Sequence, residues 1–384
     1  MELFQEAIRF IREIYQQPVA TIPLHAPLFR GNEKEYVTEC IDSTYVSSVG
    51  KFVDLFETEA AKYTGVKKAA VTVNGTNALY LALLSVGVRP GDEVITQPLT
   101  FVATANAIVH AGAQPVFVDV DRETLGMSPE KLEDFLKKNA VWQSKSSQTI
   151  NRITGKPITA CVPMHTFGHP CRIEEICEIC KDYHISVVED AAESVGSFFK
   201  GRHAGTFGEI GILSFNGNKI LTTGGGGMIL TNDAKLGTHI KHLSTQAKIN
   251  HPWEYDHDFI GYNFRMPNIN AALGLAQLEQ LEAFVMNKRE TAAKYKEFFD
   301  QTDIDFFSEP ENCRSNYWLN AIFLKNRKER DRFLQETNHA GVMTRPAWKP
   351  MNNLRMFKKA QFGDLSNSEH ISSRLVNIPS SVVG

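Results

Sequence analysis

An amine, a carboxylate and two hydroxyls carry the chemistry that this sequence offers. Lys219 stands in Ser214-Phe215-Asn216-Gly217-Asn218-Lys219-Ile220-Leu221-Thr222-Thr223 and is followed by Gly224, Gly225, Gly226 and Gly227. The apolar run Ile210-Gly211-Ile212-Leu213-Ser214-Phe215 before it and Met228-Ile229-Leu230 after it predict two strands flanking a tight turn. A lysine held there is drawn away from bulk water, and a buried primary amine can condense with an aldehyde cofactor. Upstream, Val187-Val188-Glu189-Asp190-Ala191-Ala192 reads as a buried strand that ends on a carboxylate. Ligands of α/β proteins bind at the carboxyl ends of strands.

Asp190 in that place suits a pyridine nitrogen. A carboxylate there keeps the ring of pyridoxal 5'-phosphate protonated, so that it absorbs the electrons left on a deprotonated substrate carbon. A third part lies further upstream, where Ala69-Ala70-Val71-Thr72-Val73 reads as a strand, Asn74-Gly75-Thr76 as a turn, and Asn77-Ala78-Leu79-Tyr80-Leu81-Ala82-Leu83-Leu84 as a helix. Helix N-termini present unsatisfied N–H groups and attract phosphate. Gly75, Thr76 and Asn77 supply that terminus, the hydroxyls of Thr76 and Ser214 complete a cradle, and Phe101, just after the strand 93–96, can stack on a ring. Each residue alone has a plainer use: a lysine with structural partners, an aspartate or threonine capping a helix, a core phenylalanine. The constellation favours the cofactor reading.

Together, in this order, the motifs resemble the sugar aminotransferases of the DegT/DnrJ/EryC1 family, pyridoxal phosphate enzymes of fold type I. The resemblance runs from about residue 23 to the C-terminus and is carried by Asn74-Gly75-Thr76-Asn77-Ala78-Leu79, Thr100-Phe101-Val102-Ala103-Thr104, Glu189-Asp190-Ala191-Ala192-Glu193-Ser194, the Lys219 segment, and Gly261-Tyr262-Asn263-Phe264-Arg265-Met266. It implies that Lys219 and Asp190 are catalytic, that Ser214 and Thr76 bind the phosphate, and that Phe101 stacks on the cofactor. It also implies a homodimer with active sites at the subunit interface, in which Asn263 or Arg265 reaches the partner's phosphate site. The segment Asp42-Ser43-Thr44-Tyr45-Val46-Ser47-Ser48-Val49-Gly50-Lys51, with the Asn-Gly-Asn-Lys core, is similar to the LegC branch, which aminates 4-keto nucleotide sugars. That likeness places Ser47, Ser48 and Val49 among the substrate-binding residues.

The fold implied is a mainly parallel seven-stranded sheet covered by helices, with an N-terminal arm and large cofactor-binding domain over 1–250 and a smaller α/β domain over 251–384. The implied reaction moves an amino group from an amino acid, L-glutamate, to a UDP- or GDP-linked N-acetylated 4-keto-6-deoxy hexose, for surface polysaccharide or nonulosonic-acid sugars. Two departures stand out. The family usually has Gln where this chain has Glu193, which bears on how the cofactor's phenolic oxygen or the substrate is held, and usually has Glu at the place of Gly225, so that a negative charge is missing. The alternatives are a nucleotide-sugar dehydratase of the same fold, whose relatives replace the lysine with histidine, and a non-catalytic nucleotide-sugar binding protein, expected to lose Lys219 or Asp190. Both residues are present.

The 384 residues, 42% hydrophobic, supply a large core and two lobes. A net charge of -3 with mixed signs gives no basic field for nucleic acid. The N-terminus Met1-Glu2-Leu3-Phe4-Gln5-Glu6-Ala7-Ile8-Arg9-Phe10-Ile11 is amphipathic and lacks the pattern of a signal peptide, and no run approaches a membrane span, so a cytoplasmic protein is expected. Six scattered cysteines read as reduced thiols. Cys177 and Cys180 share a helical face with Ile173 and Ile176, which reads as packing rather than metal binding.

Extended chain over 18–27 and a helix over 32–42 form an arm expected near the active-site mouth. Strands at 69–73, 93–96, 114–118, 158–163 and 185–189 alternate with helices, the polar stretch inside 136–154 reads as a surface insertion, 269–299 as a long helix and 316–323 as a strand. His165 and His169 have the spacing of a metal pair, but Gly168 and Pro170 oppose the helix that would align them. His165 is instead expected in a loop at the pocket edge. Arg345 and Trp348, in Met343-Thr344-Arg345-Pro346-Ala347-Trp348, can pair with a diphosphate and pack on a sugar or base, or form a surface turn. No metal site is expected.

Overall fold

The computed structural model describes residues 2–384. Its central sheet has seven strands in the order Lys68–Thr72, Gly227–Thr231, Ile210–Ser214, Ser186–Asp190, Ile158–Val162, Glu93–Thr96, Gln114–Phe117. Gly227–Thr231 pairs antiparallel with both neighbours, and the remaining pairings are parallel. Successive strand residues point to opposite faces, and the sequence fills both with apolar side chains. Val94, Ala160, Val162, Val188, Ile210 and Ile212 enter one core cluster, whereas Ile95, Cys161, Val187 and Leu213 enter the clusters on the other side. Helix Gly75–Ser85 covers the first face with Ala78, Leu79, Leu81, Ala82 and Leu83. Helix Lys51–Thr64 covers the second with Phe52, Val53, Phe56 and Ala60.

The smaller lobe is a four-stranded antiparallel sheet in the order Asp305–Phe306, Asn320–Phe323, Leu375–Ile378, Arg345–Pro346. The N-terminal helix Glu2–Ile14, grouped by sequence with the large domain, packs here. Its buried stripe Phe4, Ala7, Ile8, Ile11 and Ile14 shares a core with Tyr295, Phe299, Ile322, Phe333, Val376 and Ile378. Burying side chains of this size is worth about 1.5–3 kcal/mol each, enough to decide where an amphipathic helix docks. Beyond it the arm is strapped to the small lobe by Ile22, which bonds Gly341 and Met343, and by Leu24, whose carbonyl accepts from the Ser380 amide.

Residues 142–148, inside the polar stretch 136–154, are exposed as a surface insertion would be, and the stretch holds the end of helix Pro129–Asn139 and a two-stranded hairpin, Ala140–Gln143 with Gln148–Asn151. Two other local expectations are corrected. The apolar segment 269–299 is two helices, Asn268–Leu278 and Leu281–Phe299, parted at Glu279 and Gln280. The strand expected over 316–323 begins only at Asn320, because residues 316–319 form a buried loop whose amides bond side chains or other loops, as Trp318 does with Asn316 Oδ1 at 2.8 Å. Cys180 is buried beside Ile173 and Ile176, with Cys177 partly covered, and all six cysteines are free. Among the described residues no helix is long and apolar enough to cross a membrane.

Candidate active site

A cleft of about 780 Å³ opens at the carboxyl ends of the central strands. Gly75, Thr76, Phe101, Asp190, Glu193, Ser214, Lys219, Arg345 and Trp348 all line it. Residues 215–226 form a wide, folded loop rather than the expected tight turn. Its neck is closed by the Phe215 amide on the Gly226 carbonyl at 2.9 Å, and the Phe215 carbonyl accepts from the Thr223 amide at 3.0 Å and the Thr222 hydroxyl at 3.2 Å. This fold presents Lys219 to the cleft. Its Nζ lies 3.3 Å from Glu193 Oε1 and 3.9 Å from the centroid of the Trp318 ring. Trp318 is fixed in turn by its indole N–H, which donates to the Asn218 carbonyl at 2.8 Å.

Asp190 ends its strand in the cleft floor. Thr104 Oγ1 donates to its Oδ2 at 2.7 Å and the Ala192 amide to its Oδ1 at 3.2 Å, so it caps no long helix. Burial pushes its proton affinity up, and the Thr104 and Ala192 bonds and the charge of Lys219 push it down. Glu193 is buried beside it. Burial is the largest influence and the nearby Asp190 adds to it, while Lys219 and the Phe167 amide oppose, leaving Glu193 pushed up to about 7.

Helix Gly75–Ser85 aims its N-terminus at the same cleft. Asn74, not Thr76, is the cap, its side chain accepting from the Asn77 amide at 2.8 Å. The amides of Gly75 and Thr76 make no hydrogen bond within the described residues. Packing at this turn leaves no room for side chains. A Cβ on Gly75 would stand 3.0 Å from Ser214 Cβ, and one on Gly227 would stand 2.5 Å from the Asn74 carbonyl carbon. Two free amides, the hydroxyls of Thr76 and Ser214, an exposed Phe101 ring, a buried aspartate and a reachable amine therefore share one cavity. This donor set fits a phosphorylated pyridine aldehyde, the phosphate at the helix terminus and the ring between Phe101 and the strand ends.

Other expected residues lie elsewhere. His165 is fully buried outside the cleft. Its Nδ1 accepts from the Cys171 amide at 3.2 Å, so Nε2 carries the proton and donates to Glu189 at 2.9 Å. Its place after a strand end put it near the pocket, but the backbone turns it inward beneath Asp190, whose carbonyl takes the His165 amide. Asn77 uses its amide for the helix cap and is not part of the cleft wall. Ser47, Ser48, Val49, Asn263 and Arg265 are outside the cleft of their own chain, with Ser48, Val49 and Arg265 lining a separate depression of about 170 Å³. Gly225 is also outside the cleft wall. Among the described residues no group of three metal-ligating side chains occurs.

Thr104, Trp318 and His25 are cleft residues that sequence reasoning passed over. Thr104 had a signal, since it stands one helical turn beyond Phe101. Trp318 and His25 had none, because they arrive from the small lobe and the arm.

The fold and the cleft define a pyridoxal phosphate-dependent aminotransferase of fold type I. The solved aminotransferase TlmJ from Streptoalloteichus hindustanus superposes with a TM-score of 0.85 at 28% identity, covering 94% of each chain. Residues 27–383 match the model of the DegT/DnrJ/EryC1/StrS aminotransferase family, and the chain belongs to that family. Pyridoxal phosphate is the cofactor that membership brings. Among curated relatives, GDP-perosamine synthase of Escherichia coli O157:H7 is 40% identical over 359 residues, 94% of this chain and 93% of that protein. GDP-perosamine synthase of Vibrio cholerae is 35% identical over 365 residues, 94% of each.

Proposed function

We propose that this aminotransferase moves an amino group from glutamate to the 4-keto carbon of a 6-deoxy sugar carried on a GDP or UDP group. The observation that carries the reading is the Lys219 amine, 3.3 Å from Glu193 in the cleft that the buried Asp190 also lines. The sugar position is supported by the relatives named for perosamine, which is a 4-amino sugar.

Bound pyridoxal phosphate supplies the electron sink that stabilises a deprotonated substrate carbon. The roles of the chain's residues follow from chemistry and place. The Gly75 and Thr76 amides, with the Thr76 and Ser214 hydroxyls, bind the phosphate. Asp190 holds a proton on the ring nitrogen, and Phe101 covers the ring. Lys219 removes the proton at the α-carbon of the amino acid and, in the second half, delivers one to the sugar carbon that becomes C4 of the product. Arg345 and Trp348, at the outer cleft, bind the diphosphate and the sugar or base. Asn263, Arg265 and residues 47–49 do not line the cleft of their own chain, and in a homodimer they would complete the partner's.

The test is direct. Protein loaded with pyridoxal phosphate is mixed with glutamate, then with GDP- and UDP-linked 4-keto-6-deoxy sugars, and the aminated product is located by mass spectrometry and NMR. Lys219→Ala should cut turnover by at least about a thousandfold with the fold intact. Amination at C3, or turnover unchanged in Lys219→Ala, would overturn the reading.

A further inference from the structure

Glu193 places a second carboxylate on the wall of the Lys219 cleft, and its surroundings give that carboxylate a use. Its side chain is 2% exposed on the cleft wall. Oε2 accepts the Phe167 amide at 2.9 Å, and Oε1 faces Lys219 Nζ at 3.3 Å. The charged groups that face it are Lys219, from the 215–226 loop, and Asp190, from the end of its own strand. The other elements offer neutral groups: the Phe167 amide from the turn 166–168, and Asn316, whose side chain bonds the Glu193 carbonyl at 2.9 Å. A buried carboxylate flanked by a second carboxylate is tolerable only while a cation partners it. Lys219 is that cation, and it is also the group that cofactor chemistry takes away.

We propose that Glu193 is a positioning residue for Lys219, holding the free ammonium in the cleft and taking one proton from solvent when that amine bonds the cofactor aldehyde. The inference rests on the reading that Lys219 carries the cofactor. In the bonding step a nitrogen–carbon bond forms and one water leaves. Two of the ammonium's hydrogens leave with that water and the third goes to solvent as a proton, so the nitrogen emerges uncharged and the carboxylate loses its ion partner. A glutamine at this place would neither hold the ammonium as strongly nor exchange a proton. Glu193 thus switches between an ionised holder of the lysine and a neutral hydrogen-bonding acid.

Two measurements judge this. Apoprotein is titrated with pyridoxal phosphate at about pH 8 in buffers of different ionisation enthalpy, which counts protons taken up on loading. The wild type should take up between about half a proton and one proton more than Glu193→Gln, since the resting carboxyl, at about 7, is largely ionised there. Equal uptake in the two proteins would overturn the proposal. The second measurement needs no cofactor. Lys219→Met removes the cation permanently, so the folded protein should hold a proton on Glu193. A carboxyl whose folded proton affinity is raised contributes stability below its unfolded value and loses it as pH rises through the folded value. The melting temperature of Lys219→Met should therefore fall from about pH 6 to about pH 8 more steeply than that of Lys219→Met/Glu193→Gln. Parallel curves would sink the idea. A wild type that fails to load pyridoxal phosphate at all would end the functional reading instead, and the Lys219→Met comparison would still decide the matter for Glu193.

Discussion

Thr104 donates its hydroxyl proton to Asp190 at 2.7 Å, across the floor of the cleft and between two elements far apart in sequence. After burial, which raises the proton affinity of Asp190, this bond is the largest influence on it and acts in the opposite direction. Thr104 is itself in contact with the Thr100 hydroxyl at 2.8 Å, so the aspartate ends a short hydroxyl chain on helix Val102–His110 and the residues before it. The site therefore depends on a residue that touches neither the amine nor the phosphate cradle.

Thr104→Val keeps the shape and removes the donor. Hydrogen bonds to charged groups are worth about 1.5–3 kcal/mol, so affinity for pyridoxal phosphate should fall about ten- to a hundredfold. Thr104→Ser, which keeps the hydroxyl, should recover most of it. Equilibrium dialysis of the three proteins checks this, and an unchanged affinity in Thr104→Val would show that the bond does not prepare Asp190 for the ring.

Gly227→Ala tests the phosphate turn. The added Cβ would sit 2.5 Å from the Asn74 carbonyl carbon and 2.6 Å from the Gly75 nitrogen. Both are backbone atoms, so the start of helix Gly75–Ser85 must shift rather than a side chain rotate. Overpacking of this kind costs about 1–3 kcal/mol of stability. Cofactor affinity should drop more than stability does, because the displaced amides are those proposed to bind phosphate. Thermal melts with and without pyridoxal phosphate separate the two effects: the variant should show a smaller cofactor-induced rise in Tm than the wild type.

The residues gathered in the cleft show what a sequence can and cannot carry. Lys219, Asp190, Ser214, Phe101 and Thr76 were legible because each lies at or just beyond the carboxyl end of a strand, and strand ends in an α/β sheet converge whatever the loops do. The seven strands were legible through apolar runs with helices between them. Burial on both faces, as at Val187 and Val188, gives such runs. His165 follows a strand end too, yet its ring turns away from the cleft to Glu189, a choice of side that neighbours in sequence do not encode. Trp318 stands 99 positions beyond Lys219, and its ring is brought over the amine by small-lobe packing alone. Helix Glu2–Ile14 announced its amphipathic face but not which lobe would cover it.

Beneath the cleft, Glu189 anchors the 205–208 turn. Its carboxylate accepts the amides of Gly205 at 2.8 Å, Phe207 at 2.6 Å and Gly208 at 2.7 Å, besides His165. Burial raises its proton affinity, but the bonds from His165 and the amides outweigh it, and the net direction is down. Glu189→Gln would set an amide N–H₂ against donors, and breaking a buried charge network of this kind costs about 3–5 kcal/mol. The sign with pH follows from the depressed folded value: the advantage of the wild type is full at neutral pH and shrinks as pH falls below the ordinary value of 4.5. Urea unfolding of both proteins across that range checks it, and a stability difference that stays constant into acid would show that the carboxylate's charge is not what holds the turn.

Arg345 lines the cleft and is the cation proposed to meet the diphosphate. Its Nη1 is fixed by Asn338 Oδ1 at 3.0 Å and by the Thr344 carbonyl at 2.8 Å, while Nε and Nη2 make no bond among the described residues. A guanidinium anchored at one nitrogen and open at the other two is oriented without being neutralised, which suits two-point recognition of phosphate oxygens. Arg345→Gln should raise KM for the nucleotide sugar about ten- to a hundredfold, leaving the rate of the glutamate half-reaction nearly unchanged. Arg345→Lys keeps the charge but not the fork, and should fall between. Stopped-flow measurement of each half-reaction separates the alternatives. A loss confined to the glutamate half would assign Arg345 to the amino acid's carboxylate and leave the diphosphate to other groups of the cleft.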